Sequence, residues 1–319
     1  MLRSFLIYLS KAVWAQNLVT KWSFAWRAAS RFVSGDTIQE AMAVVEGLNA
    51  HGITATLDHL GESTTTRADA LQATADILEL LDRIQQANVR ANVSVKLTQI
   101  GLALDEEFCV ENLERILNRA RQHNNFIRID MEDSPYTERT IGLFRRMSNQ
   151  GYDKIGLVLQ SCLYRTENDI RALTPEGARF RLVKGAYQEP ASLAYPKKAD
   201  VDANYDLLAR MMLDAALAAG SPSLSADGRI PPLPALGTHD ERRIEAAKAY
   251  AARINLPSSA LEFQMLYGIR RELQMKCASE GYPVRIYVPY GSHWYPYFMR
   301  RLAERPANLW FFVSNYFRK

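Results

Sequence analysis

Short runs of β-branched and apolar residues recur along this chain, separated by longer segments with apolar positions three and four residues apart. The runs at 53–57, 91–97, 126–130, 155–160, 180–183, 234–238, 261–264 and 284–288 read as strands. The segments 68–86, 106–122, 137–149, 166–172, 203–219, 241–253, 268–280 and 294–304 carry helical periodicity. Eight strands, each followed by a helix, predict a (β/α)8 barrel of the TIM type, because parallel neighbours need crossover connections. The strands look continuously apolar, as expected of a sheet covered on both faces.

Residues 1–48 precede this alternation and read as an N-terminal helical arm, with the catalytic barrel over 49–319. The start, Met1-Leu-Arg-Ser-Phe-Leu-Ile-Tyr-Leu, is apolar and slightly basic, without a clear cleavage site, and runs into Trp14, Trp22 and Trp26. An arm rather than a removed signal is expected, with contact at a membrane surface as an alternative. No apolar run approaches the roughly 18 to 20 residues of a membrane-spanning helix. The Gly-, Pro- and Ser-rich stretch 220–232 reads as a loop inside the barrel, not a domain boundary.

Composition narrows the class. With 319 residues, 48% hydrophobic and 23% charged, the chain can bury one large core. The net charge of +4 comes from mixed signs with no long basic run, which argues against nucleic acid. Cys109, Cys162 and Cys277 are scattered, odd in number and without CxxC spacing, so neither disulfides nor a metal site is expected and a reducing, cytoplasmic setting fits.

In such a barrel the site lies at the C-terminal ends of the strands. Polar residues gather there: Asp58, His59, Lys96, Asp130, Gln160, Arg181, Lys184, Thr238, His239, Asp240, Gln264 and Tyr287. Any one could be a solvated loop residue or a structural ion pair. Together they suggest a mouth that orients one large ligand and one small ionic one. On the last helix, Tyr297, Arg300, Arg301 and Glu304 share a stripe. Two arginine forks suit a carboxylate; the alternative is an exposed stripe with an Arg300–Glu304 pair. The chain has no GxGxxG, GxxxxGK, HExxH or GxSxG, so a dinucleotide would have to use the barrel mouth.

The segments Val95-Lys96-Leu97, Arg181-Leu-Val-Lys-Gly-Ala-Tyr187, Thr238-His239-Asp240, Phe263-Gln-Met-Leu-Tyr-Gly268 and Arg285-Ile-Tyr-Val-Pro-Tyr-Gly-Ser-His293, followed by Tyr297-x-x-Arg-Arg-x-x-Glu304, resemble the proline dehydrogenases, in particular the short monofunctional bacterial form. The resemblance runs from about residue 50 to the C-terminus. It implies a distorted barrel carrying FAD, oxidation of L-proline to Δ1-pyrroline-5-carboxylate, and electrons passed to a membrane quinone, with a place in the cytoplasm or peripherally on the inner face of the cell membrane. It further implies that Arg300 and Arg301 hold the substrate carboxylate with Lys96 nearby. Asp130, Tyr187, Leu266, Tyr287 and Tyr297 would shape the pocket around the ring. Gln160, Arg181, Lys184, Gly185, Ala186, Lys198, Thr238, His239, Gln264 and Glu304 would contact FAD. Asp240 stands where large bifunctional relatives carry Asn, and the spacing from Tyr287 to the arginine pair is shorter than in them. Two rival readings are a Schiff-base aldolase using Lys96 or Lys184, and a non-catalytic membrane-associated barrel using the arm and Trp310-Phe-Phe-Val.

Overall fold

The computed structural model describes residues 2–20, 23–61 and 64–304. Eight parallel strands close into a barrel in chain order: β1 (Thr54–His59), β2 (Ala91–Val95), β3 (Ile127–Ile129), β4 (Ile155–Gln160), β5 (Arg179–Val183), β6 (Pro234–Gly237), β7 (Glu262–Leu266) and β8 (Val284–Tyr290). The last strand pairs back onto the first, with Thr54 opposite Arg285 and Leu57 opposite Val288. Three helices precede the barrel: α1 (Leu2–Lys11), α2 (Val13–Val19) and α3 (Ser23–Ala29). The fourth, α4 (Ile38–Ala50), leads into β1. Between strands lie α5 (Arg67–Ala87), α6 (Glu106–Gln122), α7 (Ser134–Asn149), α8 (Thr166–Leu173), α9 (Lys198–Ala218), α10 (Glu241–Arg253) and α11 (Arg271–Ser279), and α12 (Trp294–Glu304) follows β8.

The strands are not apolar on both faces, which corrects the sequence expectation. Alternate residues Ala55 and Leu57, Val93 and Val95, Ile127 and Ile129, Phe263 and Met265, Ile286 and Val288 join the helices in the main apolar core. The other face turns inward and is polar: Thr54, Thr56 and Asp58; Asn92 and Ser94; Arg128; Arg181; Glu262 and Gln264; Arg285, all buried. A strand's two-residue period separates the two sets. The lumen can be polar because its groups bond one another across the barrel, and the apolar stability comes from the outer wall.

The eighth helical slot also departs from the pattern. The helix α4 packs against β1 and β8 through its apolar stripe, Ala41, Met42 and Val45. Its start is set by a reciprocal capping box, in which Thr37 Oγ1 accepts from the Glu40 N–H at 3.3 Å and Glu40 accepts from the Thr37 N–H at 3.1 Å. The slot thus filled, α12 packs instead on α1, α2 and α3. Its Tyr297, Arg300 and Arg301 stripe could not have closed an apolar wall. A second apolar cluster joins Leu6, Ala15, Ala28, Phe32 and Leu60 to Trp294, Tyr295, Phe298 and Leu302. Ring pairs Trp26–Trp294 and Phe32–Phe298 sit at 5.5 and 6.3 Å, and Tyr295 Oη donates to the Leu9 carbonyl at 3.1 Å.

The stretch 220–232 closes the lower end of the barrel. Its Arg229 carbonyl accepts from Asn92 Nδ2 at 2.9 Å, and the Gly228 carbonyl accepts from Arg285 Nη2 at 2.9 Å. Helix α9 begins at Lys198, five residues before the periodicity suggested, because Lys-Ala-Asp-Val-Asp has no apolar repeat to announce it. Helix α11 starts late, at Arg271, because Gly268 and Arg270 both adopt positive φ.

Candidate active site at the barrel mouth

Arg181, on β5, is the centre of a buried network. Its Nη1 donates to Asp130 Oδ1 at 2.8 Å and its Nε to Gln264 Oε1. Asp130, just after β3, also accepts from Ser94 Oγ at 2.8 Å and, on its other oxygen, from Tyr287 Oη at 2.7 Å. Lys96 Nζ lies 3.6 Å from that same oxygen, donates to Asp58 Oδ1 at 2.7 Å and to Tyr287 Oη at 3.3 Å. The Arg181 guanidinium also faces the Tyr287 ring at 5.3 Å. Six strands, β1, β2, β3, β5, β7 and β8, thus converge on one buried polar cluster.

The electrostatics split the two carboxylates. Burial raises the Asp130 carboxyl, but Arg181 and then Lys96, helped by the hydroxyls of Tyr287 and Ser94, outweigh it and hold it below the ordinary range. At the fully enclosed Asp58 burial wins over Lys96, and Asp130 adds repulsion, so its carboxyl is raised. Burial, then the two carboxylates, pushes the Tyr287 phenol well above its usual value, so it remains a donor to Asp130. His59 is shifted down, first by burial, and stays neutral near pH 7.

A second group lines a cleft of about 500 Å³ formed by Lys184, Lys198, Thr238, His239, Asp240, Glu241, Arg242 and Arg270. Lys184 Nζ bridges Asp202 at 2.5 Å and Asp240 at 2.7 Å; exposed Lys198 also pairs with Asp202. Asp240 caps α10 by accepting from the Arg242 N–H at 3.2 Å, so its carboxylate serves the fold as well as the cleft. The Leu266 N–H donates to His239 Nε2 at 2.9 Å, which leaves the proton on Nδ1. Gln160, at the end of β4, is buried and donates to the Glu132 carbonyl at 3.0 Å. Gly185 has φ +114°, and a Cβ there would lie 2.4 Å from Cys162 Sγ and 3.1 Å from Gln160 Oε1. Only glycine lets this backbone lie so close to the end of β4.

The third group rides on α12. Tyr297 is buried, Arg300 and Arg301 are half-buried, and the Arg301 guanidinium stacks over the Tyr297 ring at 5.1 Å. The side chain of Glu304 and the segment Trp310-Phe-Phe-Val lie outside the described residues. Tyr187 and Ala186 are half-buried on the loop after β5, and Leu266 is half-buried at the end of β7. The structure therefore joins Lys96, Asp130, Arg181, Gln264 and Tyr287 directly, groups Lys184, Lys198, Thr238 and His239 at the cleft, and carries the arginine pair on a helix held by the arm.

Sequence reasoning named Asp58 without giving it a task, quoted Arg285 only as the start of a motif, and passed over Ser94 and Glu262. The signal was present: Asn92-Val-Ser-Val-Lys96 alternates polar and apolar, so Ser94 shares the inward face with Lys96.

The proline dehydrogenase family matches residues 41–313. Proline dehydrogenase 1 of Bacillus subtilis strain 168 is 39% identical over 322 residues, covering 100% of both chains. The chain belongs to the proline dehydrogenase family. The proline dehydrogenase of Deinococcus radiodurans is 40% identical over 293 residues, covering 91% of this chain and 90% of that one. Among solved structures, proline utilization A from Bdellovibrio bacteriovorus, inactivated by N-propargylglycine, superposes with a TM-score of 0.77 at 26% identity. That alignment covers 87% of this chain and 32% of the other, so the chain spans about a third of that protein.

A flavin dinucleotide fits these residues. The cleft supplies Lys184, Lys198, Arg242 and Arg270 for a pyrophosphate, the Gly185 backbone gives close approach, and buried Arg181 supplies a fixed cation beside the lumen.

Proposed function

We propose that this chain is a flavin-dependent proline dehydrogenase that oxidises L-proline to Δ1-pyrroline-5-carboxylate and passes the electrons to a membrane quinone. The observation that carries the reading is the buried network of Arg181, Asp130, Tyr287, Lys96 and Asp58 in a chain of this family. FAD, when bound, supplies the acceptor for the hydride that leaves the ring carbon next to the amine. The residues that would hold it are Gln160, Arg181, Lys184, Gly185, Ala186, Lys198, Thr238, His239, Gln264 and Glu304.

The chain's own part is orientation and charge. Arg300 and Arg301 bind the substrate carboxylate, with Lys96 as a further cation, while Tyr187, Leu266, Tyr287 and Tyr297 enclose the ring. Asp130 holds Arg181 and Tyr287 at fixed positions through 2.8 and 2.7 Å bonds, so neither has to reorganise during the reaction. Cations around the substrate favour its neutral amine over the ammonium, and the amine must lose its proton before an iminium can form. No dedicated general base is assigned. The aldolase alternative is disfavoured, since Lys96 and Lys184 each donate to a carboxylate and a Schiff base needs a free neutral amine.

The arm supports the membrane part of this reading. Residues 1–35 contain five basic and no acidic side chains, and Phe5, Tyr8, Trp14 and Leu18 are exposed. No helix among the described residues is long and apolar enough to cross a membrane. A cytoplasmic enzyme resting peripherally on the inner face of the cell membrane fits both facts.

The deciding experiment is the visible spectrum of the purified protein before and after anaerobic L-proline. Flavin bands that bleach are expected. A flavin that proline leaves oxidised refutes the substrate, and a protein that stays colourless after FAD addition refutes the cofactor. Co-sedimentation with anionic vesicles is expected to fall when Phe5, Tyr8, Trp14 and Leu18 are changed to Ser; unchanged binding removes the arm from the contact.

A further inference from the structure

The lumen below Arg181 holds a charged chain for which the reaction, as set out above, has no use. Glu262 and Arg285 are both 0% exposed. Arg285 Nε donates to Glu262 Oε1 at 3.0 Å and Nη2 to Oε2 at 3.1 Å, while Nη1 donates to the Ala55 carbonyl at 2.8 Å. Glu262 Oε1 also accepts from Gln264 Nε2 at 2.5 Å. Two residues on along the same inward face of β7, the other end of that amide accepts from Arg181 Nε.

Donor and acceptor logic gives this chain a direction. Arg181 Nε can only donate, so the Gln264 end that meets it must be the carbonyl oxygen. The amide NH2 then has to find an acceptor on the opposite side. Glu262 also faces two donors from Arg285, so three donors converge on its two oxygens. Only a carboxylate accepts at both ends. A glutamine at this place would set its own NH2 against Arg285 or against Gln264, and the reversed Gln264 amide would meet Arg181 donor to donor.

We propose that Glu262 is a positioning residue of the reaction: from the closed floor of the barrel it orients Gln264, and through Gln264 the fork of Arg181 that holds Asp130. This rests on the reading of the chain as a flavin-dependent proline dehydrogenase.

The test replaces the pair by Glu262→Leu/Arg285→Met, because an apolar pair of similar volume leaves no buried charge alone. Expected are a folded protein, KM for L-proline within twofold of the parent, and kcat at least tenfold lower. The FAD midpoint potential should fall by about 30 mV, the tenfold equivalent for a two-electron couple. Gln264→Met should give the same changes, and adding it to the pair should lower kcat by less than a further twofold. A folded pair variant with parental kcat and potential overturns the proposal, and so does full additivity with Gln264→Met. If the pair variant does not fold, Glu262→Gln carries the same expectations; failure of both to fold makes the residue structural only and overturns the assignment. A parent protein whose flavin does not bleach with proline instead sinks the functional reading.

Discussion

Asp130→Asn leaves the shape of the site unchanged and removes one charge, so its cost can be worked out from the contacts. The two oxygens of Asp130 receive only donors: Arg181 Nη1 and Ser94 Oγ on one, Tyr287 Oη on the other, with Lys96 Nζ at 3.6 Å. Whichever way an asparagine turns, its NH2 confronts a donor. Arg181 is 5% exposed and cannot turn to water. Stranding one partner of such a buried pair costs about 3–5 kcal/mol of stability. For a chain of 319 residues the unfolding entropy is about 0.67 kcal/mol/K, so Tm should fall by about 4 to 8 °C. Losing one hydrogen bond between charged groups is worth about 1.5–3 kcal/mol, which lowers kcat/KM roughly 10- to 150-fold. The folded-state pKa of Asp130 lies below its unfolded value, so its stabilisation is complete above the unfolded value and lost as pH falls through the folded one. The Tm gap between parent and variant should therefore be flat near neutrality and close only below about pH 4. Thermal melts across pH and steady-state rates with L-proline and a dye acceptor measure both effects. A variant melting within about 1 °C of the parent, with kcat/KM within twofold, would show that the network is not what holds Arg181.

Replacing Arg300 or Arg301 by Ala should raise KM for L-proline about 30-fold or more, from the roughly 2 to 5 kcal/mol of a desolvated carboxylate contact; a change under about twofold in both removes them from the pocket. Activity should climb as pH rises, because only the neutral amine reacts, and a flat profile between about pH 6 and 9 counts against that mechanism. Gly185→Ala places a methyl 2.4 Å from Cys162 Sγ at φ +114°, so weaker FAD retention after gel filtration is expected, and full retention would move the cofactor away from this loop. Gly268→Ala would put a Cβ 1.6 Å from the Arg31 carbonyl, unseating the arm; KM for proline should rise more than kcat falls if the arm sets the arginine helix, and unchanged kinetics would uncouple the two.

The barrel was legible because its outward residues alternate with turns and helices in a regular rhythm, and all eight expected strands form. The polar lumen was harder to see. Short strands such as Ile127–Ile129 leave too few positions to reveal a two-residue period, and Arg128 or Arg285 inside an apolar run looks like an exception until the opposing strands are in place. Lys96 and Asp130 stood out because each directly follows a strand, whereas Arg181 and Tyr287, expected at strand ends, lie in the middle of β5 and β8 and reach the cluster from inside the lumen. Glu262 and Arg285 sit at strand beginnings, where a residue in such a barrel ordinarily serves stability. The fate of α12 was not legible either, since no local pattern says that α4 fills the slot between β8 and β1 first.

That displacement links the parts of the molecule. A helix docked on the barrel wall must present an apolar stripe to it, as α4 does with Ala41, Met42 and Val45. Freed from the wall, α12 can carry Tyr297, Arg300 and Arg301, but it then needs another apolar surface for Trp294, Tyr295 and Phe298. The arm supplies that surface, and it reaches the barrel through the Ser34 N–H, which donates to the Pro289 carbonyl at 2.9 Å, and the Gly291 N–H, which donates to Gly35 at 2.9 Å. The helix that carries Arg300 and Arg301, which we propose to bind the substrate carboxylate, is thus positioned by the segment that also exposes Phe5, Tyr8, Trp14 and Leu18. A contact made by the outer face of the arm would therefore bear mechanically on the helix proposed to hold the substrate, so L-proline binding and vesicle binding should be measured together on the same arm variants.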